Sequence, residues 1–173
     1  MKEIIRFGFT LALICALAGS SLAIVNSITK PIIIARAKAD EEASLRKVMP
    51  EGERFEPVKS AEEIIYYKVY NKDAEFIGVA FKAQGKGYSS TIETMAGMKK
   101  DATITAIKIL SQAETPGLGN SITEPSFTNR FNNKNLQDLA KVQAITGATI
   151  SSKAVIDSVK NKAEEIKGLI NEK

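Results

Sequence analysis

"IIYYKVYNKDAEFIGVAFKA", residues 64–83, holds two runs of β-branched and aromatic residues on either side of a short polar segment. The first run is Ile64–Tyr70 and the second is Glu75–Ala83. Such runs are typical of β-strands, and the intervening Asn-Lys-Asp-Ala is a turn signal. The stretch therefore predicts a β-hairpin.

A second pair of strand patterns follows the hairpin. The glycine-rich segment "GKGYSS", residues 85–90, predicts a loop. Beyond it, Thr91–Met98 and Ala102–Leu110 flank a "KKD" turn. The chain from residue 64 to residue 110 is thus expected to form two consecutive hairpins.

Helical patterns are concentrated after the strands. Two short helices are expected at 124–131 and 135–142, and a longer one from about Ser151 to the end. The apolar residues of this last segment recur at intervals of three or four, which places them on one helical face: Val155, Val159, Ala163, Ile166 and Ile170. Hairpins followed by helices predict a single α+β domain.

The N-terminal stretch predicts a membrane anchor. Phe7–Thr29 contains 23 residues without a formal charge, enough to span a hydrocarbon core of about 30 Å. A cleaved signal peptide is the rival interpretation, since Ala16–Ala18 resembles a cleavage site. The apolar run continues to Val25, which favours a retained helix. Basic residues lie on both sides of the span, so charge alone does not decide its orientation.

The segment after the anchor predicts a helix that ends before Pro50. It is rich in Ala, Glu, Arg and Lys, and we expect it to continue the membrane helix. Residues 51–63, "EGERFEPVKSAEE", are expected to be a polar connector. The predicted organisation is an anchor at 1–29, a helical extension at 30–50 and a domain at 51–173.

Composition excludes several classes of chemistry. The 173 residues include no His and no Trp, and Cys15 is the one Cys. A Ser-His-Asp triad, a His-ligated zinc and a disulfide in the domain are therefore excluded. A net charge of +4 without a dense basic block argues against a nucleic-acid partner. We expect no metal site and no catalytic side chain, so any redox chemistry requires a bound cofactor.

Three polar loops do not fit a core. "GKGYS" (85–89) offers Tyr88 for stacking on a planar ligand, or it is a plain loop with a surface Tyr. "ETPGLG" (114–119) places Pro116-Gly117 as in a type II turn, which by itself is structural. "TGAT" (146–149) precedes a helix, where free N–H groups bind anions, although an ordinary helix cap is the alternative.

Taken together and in this order, the three loops resemble a known family. "GKGYSS", "ETPGLG" and "TGATIS" behind an N-terminal membrane helix are similar to the FMN-binding domain of two proteins. These are the G subunit of Rnf-type electron transport complexes and the C subunit of the sodium-pumping NADH:quinone reductase. The resemblance extends over nearly the whole chain, and the compact length is closer to the Rnf protein.

The resemblance implies FMN joined covalently through a phosphoester to Thr149, with the rest of the motif formed by Thr146, Gly147 and Ala148. It also implies that the flavin site is lined by four residues of the second loop and aided by one of the first: Glu114, Thr115, Gly117, Leu118 and Tyr88. A domain on the outer face of the membrane is implied as well.

Two positions depart from the family's pattern. Gln143 stands where an Asp or Asn is usual, three residues before the first hydroxyl of the motif. Gln112 stands where a His is common. Gln keeps the hydrogen-bonding capacity of these side chains but not the charge.

The function implied is electron transfer between ferredoxin and NAD within an ion-translocating membrane complex, without independent substrate turnover. The partners implied are the other membrane proteins of the complex, membrane lipid and a flavin transferase that attaches the FMN. Two alternatives stay open: a standalone membrane-tethered flavoprotein of extracellular electron transfer, and a flavin-free anchored scaffold.

Overall fold

The computed structural model describes residues 2–60 and 63–171. The chain divides into two compact units, Met1–Asp40 and Glu41–Lys173.

The first unit is formed by helix α1, whose full bounds are Lys2–Val48. Its apolar part has a mean hydropathy of 2.1 and none of its side chains are buried. The hydroxyls of Thr10, Ser21 and Thr29 donate to carbonyls four residues earlier, which satisfies them within the helix. The helix is long and apolar enough to cross a membrane, a criterion that a signal sequence also meets.

Within the described ranges, the second unit contains a six-stranded antiparallel sheet in which each strand pairs with its neighbours in sequence. The strands are β1 Arg54–Ser60, β2 Glu63–Tyr70, β3 Phe76–Lys86, β4 Thr91–Lys99, β5 Thr103–Ser111 and β6 Lys134–Asn135. The α+β prediction is confirmed, and the four strand patterns of the sequence correspond to β2 through β5.

Two local expectations were wrong. The predicted polar connector forms β1, an edge strand that contains Pro57 and is at most half-buried, so its apolar alternation is weak. The predicted loop at 85–90 begins later, because Gly85 and Lys86 pair with β4 as the end of β3.

Helix α4, Thr149–Asn171, packs on β3 and β4. The prediction of its apolar face is confirmed, because four of the five predicted residues are fully buried and Ile170 is half-buried. The four are Val155, Val159, Ala163 and Ile166. A Cβ on Gly85 would overlap the carbonyl of Ala154, so a glycine allows strand and helix to approach closely here.

The other face of the sheet is covered by the last residues of α1 and those that follow. Leu45, Val48 and Met49 form a second apolar cluster with side chains of β2, β3 and β4. Next to this cluster, Glu41 accepts hydrogen bonds from the Tyr67 hydroxyl at 2.5 Å and from Lys82 Nζ at 2.7 Å.

The chain between β5 and α4 is a series of short helical turns. They comprise 3-10 turns at Gly119–Thr123 and Asn129–Phe131 and helices α2 Pro125–Thr128 and α3 Leu136–Leu139. The helices predicted at 124–131 and 135–142 are therefore present but shorter. Phe127, Phe131 and Leu139 are fully buried, so this segment closes one side of the core.

Candidate cofactor-binding site

The topology brings the three polar loops to one end of the sheet. Lys86 pairs with Thr91, and Glu93 pairs with Ser111. The end of β3, the start of β4 and the end of β5 therefore lie at the same end of the sheet. The contact of Gly85 with the first turns of α4 puts the start of that helix at the same end of the sheet. Segments separated by more than 60 residues therefore meet.

Glu114 lies at the centre of this meeting point. Its Oε1 accepts hydrogen bonds from the backbone N–H groups of Ser89 and Ser90, both at 3.0 Å, and from the Ser90 hydroxyl at 3.3 Å. Its Oε2 accepts from Tyr88 N–H at 3.1 Å and from the Ser151 hydroxyl at 2.5 Å. The carboxylate thus bonds to the first loop and to the first turn of α4.

These donors keep Glu114 ionised although only 6% of the residue is exposed. Burial by itself raises the pKa of a carboxyl group. Here the Ser151 hydroxyl and the backbone N–H groups of Ser90, Ser89 and Tyr88 outweigh burial, and the pKa of Glu114 lies below its ordinary value.

The second loop contains the turn expected at Pro116-Gly117. Leu118 N–H donates to the carbonyl of Thr115 at 3.2 Å, and Gly117 has φ +75°. A positive φ at the third residue is what a type II turn requires. The turn leaves Leu118 53% exposed at the edge of the loop.

A similar turn precedes α4. Ala148 N–H donates to the carbonyl of Ile145 at 3.0 Å, and Gly147 has φ +83°. The buried Ser152 hydroxyl accepts from Ile145 N–H at 3.0 Å, which fixes the start of the turn. The first helical hydrogen bond runs from Ser152 N–H to the carbonyl of Ala148. The backbone N–H groups of residues 149–151 precede this bond and face the helix entrance.

An open cleft of about 370 Å³ lies between the three loops. Seven predicted site residues line it: Tyr88, Glu114, Thr115, Leu118, Gly147, Ala148 and Thr149. Thr146 and Gly117 are exposed residues of the two turns and are not part of the lining. Thr149, the exposed first residue of α4, belongs to the wall of the cleft.

Sequence reasoning missed several residues of this site. Gly119, Ile150 and Ser151 also line the cleft, and Ser90 bonds Glu114. Ser151 was expected only as the start of the last helix and as part of "TGATIS", because a buried hydroxyl in a helix has no sequence signature. Ile150 is 55% exposed, and an exposed apolar residue in the first turn of a helix was the available signal.

The two departures have different places in the structure. Gln112 supports the second loop: its Oε1 accepts from Glu114 N–H at 2.5 Å and its Nε2 donates to Asn120 Oδ1 at 2.6 Å. Gln143 is exposed, and its backbone carbonyl accepts from Arg130 Nη1 at 2.7 Å.

A larger cleft of about 540 Å³ lies elsewhere, around Phe76, Lys100 and Asp101. It contains none of the three loops, and its lining includes both acidic and basic side chains. In the part of the chain that the structure describes, no group of three or more His, Cys, Asp or Glu side chains could hold a metal ion.

The fold and the cleft define a class: an α+β domain with a helix-entrance site, in a chain that starts with an apolar helix. Two family models match this chain. The FMN-binding domain matches residues 87–164, and the RnfG N-terminal region matches residues 1–48. Together the two matches cover more than two thirds of the chain. The chain belongs to the family of FMN-binding-domain proteins that are named as G subunits of ion-translocating oxidoreductase complexes.

Similar proteins extend over almost the full chain. The G subunit of the ion-translocating oxidoreductase complex of Methanosarcina acetivorans is 29% identical, with 95% of each chain covered. The G subunit of the proton-translocating ferredoxin:NAD(+) oxidoreductase complex of Clostridium ljungdahlii is 28% identical, covering 90% of this chain and 88% of that one. Its counterpart in the Na(+)-translocating complex of Acetobacterium woodii is 27% identical, covering 91% and 89%.

Among solved structures, NqrC of Shewanella oneidensis has the same fold. The TM-score is 0.50 at 21% identity, and the match covers 65% of this chain and 66% of that one.

Proposed function

We propose that this chain is a membrane-anchored flavoprotein, one component of a larger complex, with FMN attached to Thr149 through a phosphoester. The observation that supports the proposal most directly is the place of Thr149. It is the first residue of α4, it is exposed, and it lines the cleft together with Tyr88 and Leu118.

The residues present fit a flavin phosphate. Gly147 and Ala148 keep bulky side chains away from the turn before Thr149, so a phosphate can approach the backbone. The entrance of α4 presents N–H groups and the positive end of the helix dipole, which favour an anion. Among the described residues, no acidic side chain lines this cleft apart from Glu114, whose oxygens accept bonds from the protein itself.

The rest of the cleft suits a planar ring system. Its volume falls within the range of about 300–1,000 Å³ common for ligand pockets. Exposed Tyr88 and Leu118 supply apolar surface from two loops, and exposed Ile150 supplies it from the first turn of α4. We propose that Tyr88 and Leu118 contact the isoalloxazine, while Thr115 and the Gly117 turn set the position of Leu118.

When bound, FMN supplies reversible electron uptake and release. The protein then holds the phosphate at the helix entrance, orients the ring between its loops and limits access of water to it. Thr149 serves as a tether and takes no part in electron transfer.

We propose three parts for the chain: an anchor at 1–29, a helical extension at 30–50 and the FMN domain at 51–173. We place the domain on the outer face of the membrane. Covalent attachment supports this orientation, because FMN lost outside the cell is not easily replaced. A flavin transferase is required for maturation.

The similar G subunits support membership of a complex that couples electron flow between ferredoxin and NAD to ion movement. We expect the tagged full-length chain, extracted from native membranes in mild detergent, to co-purify with several polytopic membrane proteins. A matched chain with Thr149→Ala should co-purify with the same proteins but lack fluorescence in a denaturing gel. If the unmodified chain is fluorescent but purifies alone, it is a standalone flavoprotein. If the unmodified chain carries no flavin, it is a scaffold.

A further inference from the structure

The hydrogen bonds of Glu114 use its full acceptor capacity. Five donors reach the two oxygens, three at Oε1 and two at Oε2. An ionised carboxylate offers about four lone-pair sites. No site is left for a group of a bound ligand.

Close backbone packing also covers this carboxylate. A Cβ on Gly87 would lie 2.6 Å from Oε1 of Glu114, and one on Gly119 would lie 2.7 Å from Oε2. Any larger residue at either position would displace the carboxylate. The two glycines therefore let the first and second loops close around Glu114.

The donors come from segments far apart in sequence. Tyr88, Ser89 and Ser90 precede Glu114 by about 25 residues, and Ser151 follows it by 37. Ser151 lies in the same helical turn as Thr149, and Tyr88 is 73% exposed at the rim of the cleft. One buried carboxylate thus links the first turn of α4, which begins at Thr149, to the backbone of Tyr88.

All five groups around Glu114 act as donors, which makes a carboxylate preferable to an amide. A Gln in either orientation would place an NH₂ group against at least one backbone N–H: that of Tyr88, or those of Ser89 and Ser90. The two serine hydroxyls can rotate to accept instead, but a backbone N–H cannot. The negative charge is therefore needed for the geometry.

We infer that Glu114 is a positioning residue: it couples the Tyr88 loop to the entrance of α4 and so sets the place of Thr149, without contacting the flavin. The functional role of this coupling rests on the proposed attachment of FMN at Thr149. The coupling itself is a property of the protein and is testable without flavin.

The first test uses hydrogen exchange of the flavin-free full chain in detergent. Ser151→Ala removes one bond on α4, and amides 88–90 on the other loop should then exchange about tenfold faster, as expected for one lost bond to a charged group. Glu114→Gln should speed exchange at 88–90 and at 145–152 together. Glu93→Gln is the matched control, because Glu93 is a carboxylate that accepts a hydrogen bond from the exposed side chain of Gln84 at 2.7 Å.

Unchanged exchange at 88–90 in a folded Ser151→Ala chain would overturn the inference. If Glu114→Gln does not fold, the Ser151→Ala result decides alone. The second test is the visible circular dichroism of flavin in chains matured with the transferase. It should weaken in Ser151→Ala and not in Glu93→Gln, and an unchanged signal would count against positioning. Absence of flavin from the unmodified chain would refute the proposed function, while the exchange result would still decide the coupling.

Discussion

Gly117 occupies a backbone conformation that most residues avoid. Its φ is +75°, and a Cβ built on it would meet nothing within 4 Å. Gly117→Val should therefore cost about 1–2 kcal/mol through backbone strain alone. Because the turn positions Leu118, the flavin absorbance should shift as well. Chemical denaturation and the visible spectrum of the matured chain measure the two effects.

Gly168→Ala is the control for this change. Gly168 also has open space around its Cα, but it lies in α4 without a positive φ. Alanine there should stabilise the protein by up to about 1 kcal/mol. A Gly117→Val chain with wild-type stability, spectrum and potential would show that the loop does not shape the flavin site.

Gln143 is the departure most relevant to maturation. Its side chain is exposed and its backbone carbonyl bonds to Arg130, so Gln143→Asp should not alter the folded domain. An acid six residues before Thr149 can bind a metal ion or orient the loop in the transferase site, where a neutral amide is a weaker ligand. We expect faster covalent flavin incorporation in a time course with purified transferase. Equal rates would show that Gln143 is an adequate substitute.

At the scale of elements, the end of α1 belongs to the core of the second unit. Leu45, Val48 and Met49 are at most 4% exposed and pack under the sheet. Burying each contributes about 1.5–3 kcal/mol, a large part of the roughly 5–15 kcal/mol typical of a whole domain. A chain that lacks residues 1–28 should therefore be soluble and folded, whereas one that begins at Pro50 should be strongly destabilised.

Denaturant midpoints and size-exclusion profiles at moderate salt distinguish these outcomes. An aggregated chain after removal of residues 1–28 would indicate that the apolar helix or its partners complete the fold. Equal midpoints for the two truncations would mean that the cluster around Leu45 adds little stability.

The success of the element predictions followed the strength of each pattern. The face of α4 was predictable because its burial is one-sided, which gives regular apolar spacing. β2 was predictable because Tyr66 packs on one face of the sheet and Tyr67 and Val69 on the other, which gives a dense run of β-branched and aromatic residues. β1 was missed because an edge strand with Pro57 buries little. The two residues of β6 are exposed and gave no apolar signal either. This strand exists because its residues pair with Thr103 and Ile104, which are distant in sequence.

At the scale of the molecule, the sequence predicted that the three loops share one site but not how they are joined. "GKGYSS", "ETPGLG" and "TGATIS" were each ambiguous, and their joint resemblance to a family indicated a common site. Their convergence on Glu114 depends on strand order and on the angle of α4, which no local pattern contains. Ser151 could not be predicted for that reason, although it lies two residues from Thr149.

Peptide mass spectrometry of the chain matured with its transferase measures the proposed attachment of FMN to Thr149. A peptide spanning Ala144–Lys153 should gain the mass of FMN less one water. Thr149→Ser should retain the added mass, Thr146→Ala should retain it, and Thr149→Ala should lose it. Attachment that survives in Thr149→Ala but disappears in Thr146→Ala would contradict the assignment.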